Sequence, residues 1–317
     1  MIHQKKYSVL ALRMSEVKGL SILIPIYNQD ARLLVNQLLE QANELKIPFE
    51  IRCYDDKSSQ EIKKLNEELR TIKNVTYSEL PENIGRSAIR NKLGNEAIYS
   101  HLLLLDCNVK IARKDFMKKY IESEKKSSVV IGGSVYDYEP DKACALRWKY
   151  SKAREERTAK ERSVDPYKSI ILKNIFIEKN IFQQNNLDES IKTYGHEDTK
   201  FGQILKERKI QILHIDNPVR HAGLEINEVF LNKTLEGIKN YYKLIKEGYA
   251  GDSKLLTTYN IVKHFPFRQI FISAHTIMES TIQKNLLSEN PSLMYFDLFK
   301  LRALIKEKES EERERKK

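Results

Sequence analysis

Cysteine is scarce in this sequence. Cys53, Cys107 and Cys144 are the three present in 317 residues; they lie far apart and form no CxxC pair. Neither a zinc site nor a disulfide framework is suggested, and a reducing cytoplasm fits this usage. Long apolar runs are missing as well: Leu102 to Leu105 is typical, and it stops at Asp106. A membrane-spanning helix needs about 20 apolar residues, so none is expected. Met1 to Tyr7 is followed by no apolar stretch of signal-peptide length. No internal repeat is seen. What is present suits a globular chain. Hydrophobic residues make up 41% and aromatics 9%, enough to fill a core and to argue against wholesale disorder.

The net charge is +11. Nucleic acid, an anionic membrane surface and phosphorylated substrates would each suit it. Basic and acidic residues interleave, with no compact Arg/Lys stripe carrying aromatics. No specific nucleic-acid partner is therefore expected. A solvated charged surface and a weak membrane-surface attraction both stay open.

Residues 1–18 read as a polar lead-in. Leu20 to Ile26 reads as a buried strand, and residues 30–46 follow with the apolar spacing of a helix. Phe49 to Tyr54 reads as a second strand, 59–73 as an amphipathic helix and Val75 to Tyr77 as a short strand. Asn83 to Tyr99 is helix-like, and His101 to Leu105 is a continuous apolar strand. Such alternation predicts a mainly parallel sheet with helices on both faces. Ligands of such sheets bind outside the carboxyl ends of the strands. Those ends carry Pro25-Ile26-Tyr27-Asn28, Asp55-Asp56 and Asp106-Cys107-Asn108.

Further on, 128–136 reads as one strand with Gly132-Gly133 giving a close approach or a turn. Residues 141–163, charged around the single Trp148, suit a flap or a helix. Lys168 to Ile177 is β-like, Tyr194 to Arg208 helical with Glu197 and Asp198 in its first turn, and Gln211 to Ile215 a strand. From Leu224 the alternation ends. Residues 225–249 read as one long helix, and 254–307 as two or three more, broken near Pro266 and Pro291. The tail after Lys306 is almost purely charged and is expected to fray or be disordered.

Six short motifs now stand in order. Ser21-Ile22-Leu23-Ile24-Pro25-Ile26-Tyr27-Asn28 resembles the opening strand of the family-2 inverting glycosyltransferases. Cys53-Tyr54-Asp55-Asp56-Lys57-Ser58-Ser59 resembles their "DDGS" segment, with Lys57 where Gly is usual. Glu82 to Asn91 resembles their "N-x-G-x-x-x-A-R-N" helix start, with Ile89 as one extra residue before the Arg. Leu103-Leu104-Leu105-Asp106-Cys107-Asn108 sits where "DxD" belongs. Tyr194-Gly195-His196-Glu197-Asp198 resembles "G-x-E-D", and Asn217 to Gly223 resembles the "H-x-G" of some members. Each motif alone is weak; six in this order are not. The resemblance covers roughly residues 20–223.

The resemblance implies a GT-A fold, Rossmann-like and α/β, with a C-terminal helical extension. It divides the chain into a catalytic domain at 1–223 (nucleotide-sugar binding at 20–110, acceptor and catalytic part at 111–223), a helical region at 224–307, and a charged, disordered tail at 308–317. It implies a bacterial polysaccharide-type enzyme moving a hexosyl or N-acetylhexosaminyl group from a UDP-sugar to a carbohydrate acceptor, in surface polysaccharide synthesis. Such an enzyme would be cytoplasmic or peripheral at the inner membrane face.

In that family the second Asp of the "DDGS" segment accepts from the uracil N–H. Asp56 would do so here, with Asp55 supporting the loop; a turn Asp bonded to its own backbone is the alternative. Tyr27 either packs near the base or belongs to the core, while Pro25 and Asn28 shape the loop at the nucleoside. Arg90 either pairs with Asp106 or reaches the donor. A "DxD" pair holds a divalent cation and the ribose, but here Asn108 replaces the second acid. Asp106, Asn108 and His221 would then share Mn²⁺ or Mg²⁺ with the diphosphate, unless His221 is a turn residue bonded to backbone. Asp198 is the expected catalytic base, ionised by the helix dipole; Glu197 orients it or is itself the base. Trp148, with Arg147, Lys149 and Tyr150, and His196 are candidate acceptor contacts. The C-terminal helices, with Phe265, Phe267, Arg268 and Phe271, suit a dimer interface, a membrane-surface dock or a wall of the acceptor site.

Two other classes compete. A nucleotidyltransferase would want a Gly-rich basic loop near the N-terminus, and Tyr27-Asn28-Gln29-Asp30 has neither Gly nor Lys. A degenerate, non-catalytic protein binding sugar nucleotides or other anions would fit Asn108.

Overall fold

The computed structural model describes residues 17–136, 141–264 and 266–315. Residues 1–16 of the polar lead-in at 1–18, and Phe265, lie outside the described residues.

The first half alternates as expected. Leu20–Ile26 (β1) leads through Arg32–Glu44 (α1) to Phe49–Asp55 (β2), then through Gln60–Asn66 (α2) to Val75–Glu79 (β3), and through Arg86–Glu96 (α3) to His101–Leu105 (β4). Val109–Ile111 (β5), Phe116–Glu124 (α4), Val129–Ile131 (β6) and Ser134–Val135 (β7) follow. Short helices Ala145–Tyr150 (α5) and Ala159–Arg162 (α6) precede Asn174–Glu178 (β8), Lys179–Gln184 (α7) and Glu197–Glu207 (α8). Leu213–His214 (β9) and Val219–His221 (β10) close the α/β part. Asn227–Glu247 (α9), Lys254–Val262 (α10), Phe267–Leu286 (α11) and Leu293–Glu314 (α12) complete the chain.

Seven strands form one sheet in the order β3-β2-β1-β4-β8-β6-β9. All its pairings are parallel except those of β8, which runs antiparallel to β4 and β6. A second sheet has the order β5-β10-β7. Helix α1 buries Leu34, Val35, Leu38 and Ala42 against one face; a fully buried Leu or Val is worth roughly 1.5–3 kcal/mol. On the other face α3 and α8 bring Ile89, Leu93, Phe201 and Leu205.

The chain winds outward from β1 to β3, then returns to place β4 on the other side of β1. That reversal is where a ligand crevice forms in such sheets. Pairing of β1 with β4 ends at Leu23↔Leu104, while β1 continues beside β2 to Ile26. The two strands therefore part near their carboxyl ends. Pro25, which has no N–H to give, sits in the parted stretch.

Three local expectations are corrected and a fourth is narrowed. Residues 128–136 are not one strand. Gly133, at φ +88, turns the chain, so β6 joins the large sheet and β7 the small one. The β-like stretch 168–177 becomes a strand only from Asn174; residues before it face the cleft instead. Residues 141–163, where a flap and a helix were both open, take the helical form: short helices with a π turn at Ser151–Glu155. The charged tail does not fray at 308. Helix α12 runs to Glu314 because its acids find partners. Tyr242 donates to Glu311 at 2.6 Å, Lys246 pairs with Glu311 at 2.9 Å and Arg268 with Glu312 at 2.9 Å.

The C-terminal helices pack on the α/β part. Leu146 of α5 joins Phe230, Ile282 and Phe296 in one apolar cluster, and Arg154 pairs with Asp297 at 2.8 Å. Phe267 and Ile270 are exposed. Among the described residues no helix is long and apolar enough to cross a membrane.

Candidate active site

The carboxyl ends of β1, β2 and β4 open into a cleft of about 960 Å³. Pro25 and Tyr27 line it from the end of β1, Asp56 from the end of β2, and Asp106 and Asn108 from beyond β4. Arg90 enters from α3, Glu197 and Asp198 from the start of α8, and His221 from the end of β10. Nine of the residues singled out from sequence thus share one cavity.

Asp56 serves the loop as well as the cleft. Its carboxylate accepts the backbone N–H of Ile84 at 2.7 Å and of Gly85 at 3.1 Å. Burial pushes its carboxyl above the usual range against those two hydrogen bonds. The Asn83 amide donates to the Asp56 carbonyl at 3.0 Å. Gly85 stands at φ +85 before α3, a backbone region open to glycine. Asp55 is fully buried and accepts from Ser58 N–H at 2.6 Å and from the Tyr77 hydroxyl at 3.2 Å. Lys57, in the place of the usual Gly, still takes a left-handed φ of 65, at a cost on the order of 1 kcal/mol. Tyr27 is 55% exposed, so it is a cleft residue and not core.

Arg90 makes the ion pair. Its Nη2 lies 2.6 Å from Asp106 Oδ1, and its Nη1 lies 3.6 Å from Glu197 Oε1. Arg86, one turn earlier on α3, pairs with Glu197 at 3.0 Å and stacks over Tyr194. Burial works to raise the Asp106 carboxyl, but Arg90 and Arg86 outweigh it and hold it below its usual value.

Asp198 differs. Burial and the neighbouring Glu197 raise its carboxyl to about 7, with Arg90 and Arg86 opposing. Its one hydrogen bond among the described residues is a long one, 3.4 Å from Leu172 N–H. The helix start was expected to keep it ionised; desolvation wins instead.

Asn108 Nδ2 and His221 Nε2 lie 3.5 Å apart. The His221 ring stacks on Tyr136 at 5.2 Å, and burial, with Lys173 and Arg147 nearby, lowers it to about 4. It is therefore neutral. Its Nδ1 is buried without a hydrogen bond among the described residues, so it does not read as a turn histidine bonded to backbone.

Five candidates do not line the cavity. Asn28, at φ 51, clamps the β1 and β2 loops together: its N–H donates to Ser58 Oγ at 2.8 Å and its Oδ1 accepts Ser59 N–H at 2.8 Å. Trp148 follows Arg147 on α5, and adjacent helical residues point about 100° apart; Arg147 takes the cleft and Trp148 does not. Tyr150 packs with Phe230 and Phe296, and Lys149 bonds Asn290. His196 turns its ring onto Tyr241 at 4.6 Å, a consequence of its left-handed φ of 71; burial lowers it to about 4. Asn240 of α9 then donates to the carbonyls of Tyr194 at 3.1 Å and Gly195 at 3.2 Å. The C-terminal helices thus hold the turn that presents Asp198, and Lys233 and Glu236 of α9 line the cleft.

Around Arg147, which the sequence offered as an acceptor contact, the cleft gathers Glu155 and Lys173, which sequence reasoning missed. Arg147 pairs with Glu155 at 2.7 Å, and Lys173 lies 3.7 Å from Glu155. Burial would raise the Glu155 carboxyl, but Arg147 and Lys173 hold it far below its usual value. Arg157, Lys168 and Lys192 line the same cavity. Arg86 carried a signal, since four residues separate it from Arg90 on one helix face. Glu155 and Lys173 carried none, because tertiary folding brings them together. With anion-binding cations, a carboxylate near neutrality and a neutral imidazole, the cleft can hold a diphosphate and accept a proton.

Residues 21–182, just over half of the chain, match the family described as Glycosyl transferase family 2. Among solved structures, the mannosyltransferase PcManGT from Pyrobaculum calidifontis, in complex with GDP-Man and Mn²⁺, is similar at a TM-score of 0.56 and 11% identity, over 91% of this chain and 87% of that one. S. aureus TarS 1-349 is similar at a TM-score of 0.47 and 16% identity, over 93% and 91%. The first likeness supports the GT-A fold. No curated protein matches the sequence.

Proposed function

The chain belongs to glycosyl transferase family 2, and on that premise we propose that it moves a sugar, with inversion, from a UDP-sugar to a carbohydrate acceptor. One observation carries the reading: Asp198, raised to about 7, shares a cleft with Asp56 and the Arg90–Asp106 pair. Inversion is an in-line displacement at the anomeric carbon through an oxocarbenium-like state. It needs a base for the acceptor hydroxyl and positive charge for the departing diphosphate.

Asp198 is the base of this proposal. A carboxylate titrating near neutrality is better matched to proton abstraction than an ordinary one. Glu197 is held by Arg86 and Arg90, so it positions those arginines. Asp56 faces the nucleobase, where a carboxylate suits a ring N–H such as that of uracil. Tyr27 packs beside the base, and Pro25 and Asn28 shape that loop. Arg147 and Lys173, with Lys168 and Lys192, receive the diphosphate.

Asp106, Asn108 and His221 fit a divalent ion, Mn²⁺ or Mg²⁺, because His221 is neutral, its Nδ1 has no hydrogen bond among the described residues, and its Nε2 lies beside Asn108. Such an ion would add positive charge at the diphosphate. The catalytic unit of this reading is 1–223, with 224–307 as its helical wall. A hexosyl or N-acetylhexosaminyl donor, a role in surface polysaccharide synthesis and a cytoplasmic location complete it. The charge of +11 supports weak attraction to an anionic membrane face.

The test is donor consumption by purified protein across UDP- and GDP-sugars with Mn²⁺, beside Asp198→Asn. Wild-type turnover lost in the variant is expected. Equal inertness of the two across all donors would overturn the reading, and turnover with GDP-sugars alone would overturn the choice of base.

A further inference from the structure

At the end of β4 opposite to Asp106, one imidazole and two carboxylates converge. His101 opens β4 and Glu178 closes β8, and antiparallel pairing sets them directly across from each other. Glu124 closes α4 beside them. One ligand atom from each lies within 4.8 Å of the other two. His101 is 4% exposed and Glu124 5%, whereas Glu178 is half-buried.

His101 supplies an independent observation. Its Nε2 is buried and makes no hydrogen bond among the described residues, and it lies 3.6 Å from Glu124 Oε1. That is too long for a hydrogen bond. It is close to the roughly 3.3 Å that separates two ligands of a tetrahedral ion bound at about 2.0 Å. The ring is also fixed in place, since it stacks on Phe176 at 5.4 Å and its Nδ1 lies 3.2 Å from Ser100 Oγ. Ser128 donates to Glu178. Ligands oriented by a second layer of this kind are typical of metal sites.

We infer that His101, Glu124 and Glu178 bind a divalent ion of the zinc type at the end of the sheet remote from the cleft. A neutral imidazole with two carboxylates balances a doubly charged ion, and a mixed N/O set of three protein ligands leaves one position for water. Mg²⁺ and Ca²⁺ prefer all-oxygen sets. Five residue steps along β4, about 16 Å, separate His101 of this cluster from Asp106, so the ion is distinct from any at the diphosphate. It would tie β4, β8 and α4 together and act on stability.

The experiment uses the full chain, stripped with a chelator and titrated with Zn²⁺. One equivalent bound with a raised melting temperature is expected, kept in His221→Ala and weakened at least about 10-fold in Glu178→Gln. No stoichiometric zinc on the wild-type chain overturns the inference whatever the variants do. Zinc that is lost in His221→Ala, or bound equally by Glu178→Gln, overturns it as well. Because binding is read apart from activity, failure here leaves the glycosyl-transfer reading standing, and the reverse holds too.

Discussion

Arg90 donates from Nη2 to Asp106 Oδ1 across 2.6 Å, joining helix α3 to the end of strand β4. The same guanidinium reaches Glu197 at 3.6 Å, the residue before Asp198. One side chain therefore fixes both the donor-side carboxylate and the helix start that carries the proposed base. The Arg90 side chain is 4% exposed and that of Glu197 5%, so this link works in a poorly screened setting.

Removing one member of a buried charge pair leaves the other uncompensated, which costs about 3–5 kcal/mol. Arg90→Ala is expected to lower stability by that amount and to abolish turnover. Arg90→Lys keeps the charge but loses the fork that reaches two acids, so it should fall between the two. Urea unfolding of the three proteins measures this. A midpoint for Arg90→Ala equal to wild type would show that the pair does not hold the site.

Proton abstraction by Asp198 needs its ionised form, and burial and Glu197 place its titration at about 7. The rate kcat/KM should therefore rise with pH up to about 7 and then level off. Asp198→Asn should lower kcat by roughly 10²–10⁴-fold, and its residual rate should lack that acid limb. A pH–rate series on both proteins checks the prediction. An unshifted limb in the variant would assign the titration to another group.

The same shift has a consequence for stability. The folded-state value of about 7 exceeds the ordinary 3.8, so between those pH values the folded protein holds a proton that the unfolded chain has released. Stability from this group is thus full below about 3.8 and declines as pH rises to about 7. Asp198→Asn cannot ionise. It should gain on wild type from pH 5 to pH 8 in urea midpoints, and a gap independent of pH would contradict the raised value.

The alternating half of the fold was legible because strands such as Leu20–Ile26 and His101–Leu105 are buried on both faces and read as unbroken apolar runs. The crevice followed from the strand ends alone. Side-chain direction did not. Trp148 and His196 were candidates by chemistry, but a 100° helical step turns one away and a left-handed φ turns the other onto Tyr241. The tail was misread because composition counts Glu311 and Glu312 as solvated charge, whereas Tyr242, Lys246 and Arg268 from other helices bind them. Glu155, Lys173 and Arg147 meet across a sequence distance that no local pattern records.

Asn108 is the departure that most affects metal affinity. Its amide lies beside a neutral His221, and Asp106 Oδ1 is already engaged by Arg90. The proposed protein set is therefore one carboxylate, one amide and one imidazole. Affinity for a hard cation depends on the number of charged ligands, so Asn108→Asp should tighten Mn²⁺ binding by roughly 10-fold, or about 1.4 kcal/mol. The added carboxylate costs little, because Asn108 is half-buried rather than buried. The check is the Mn²⁺ concentration giving half-maximal donor consumption, compared between the two proteins. A lower midpoint in Asn108→Asp supports ligation at this position. An unchanged midpoint would mean that residue 108 does not touch the ion and that His221 and Asp106 hold it without help from the amide.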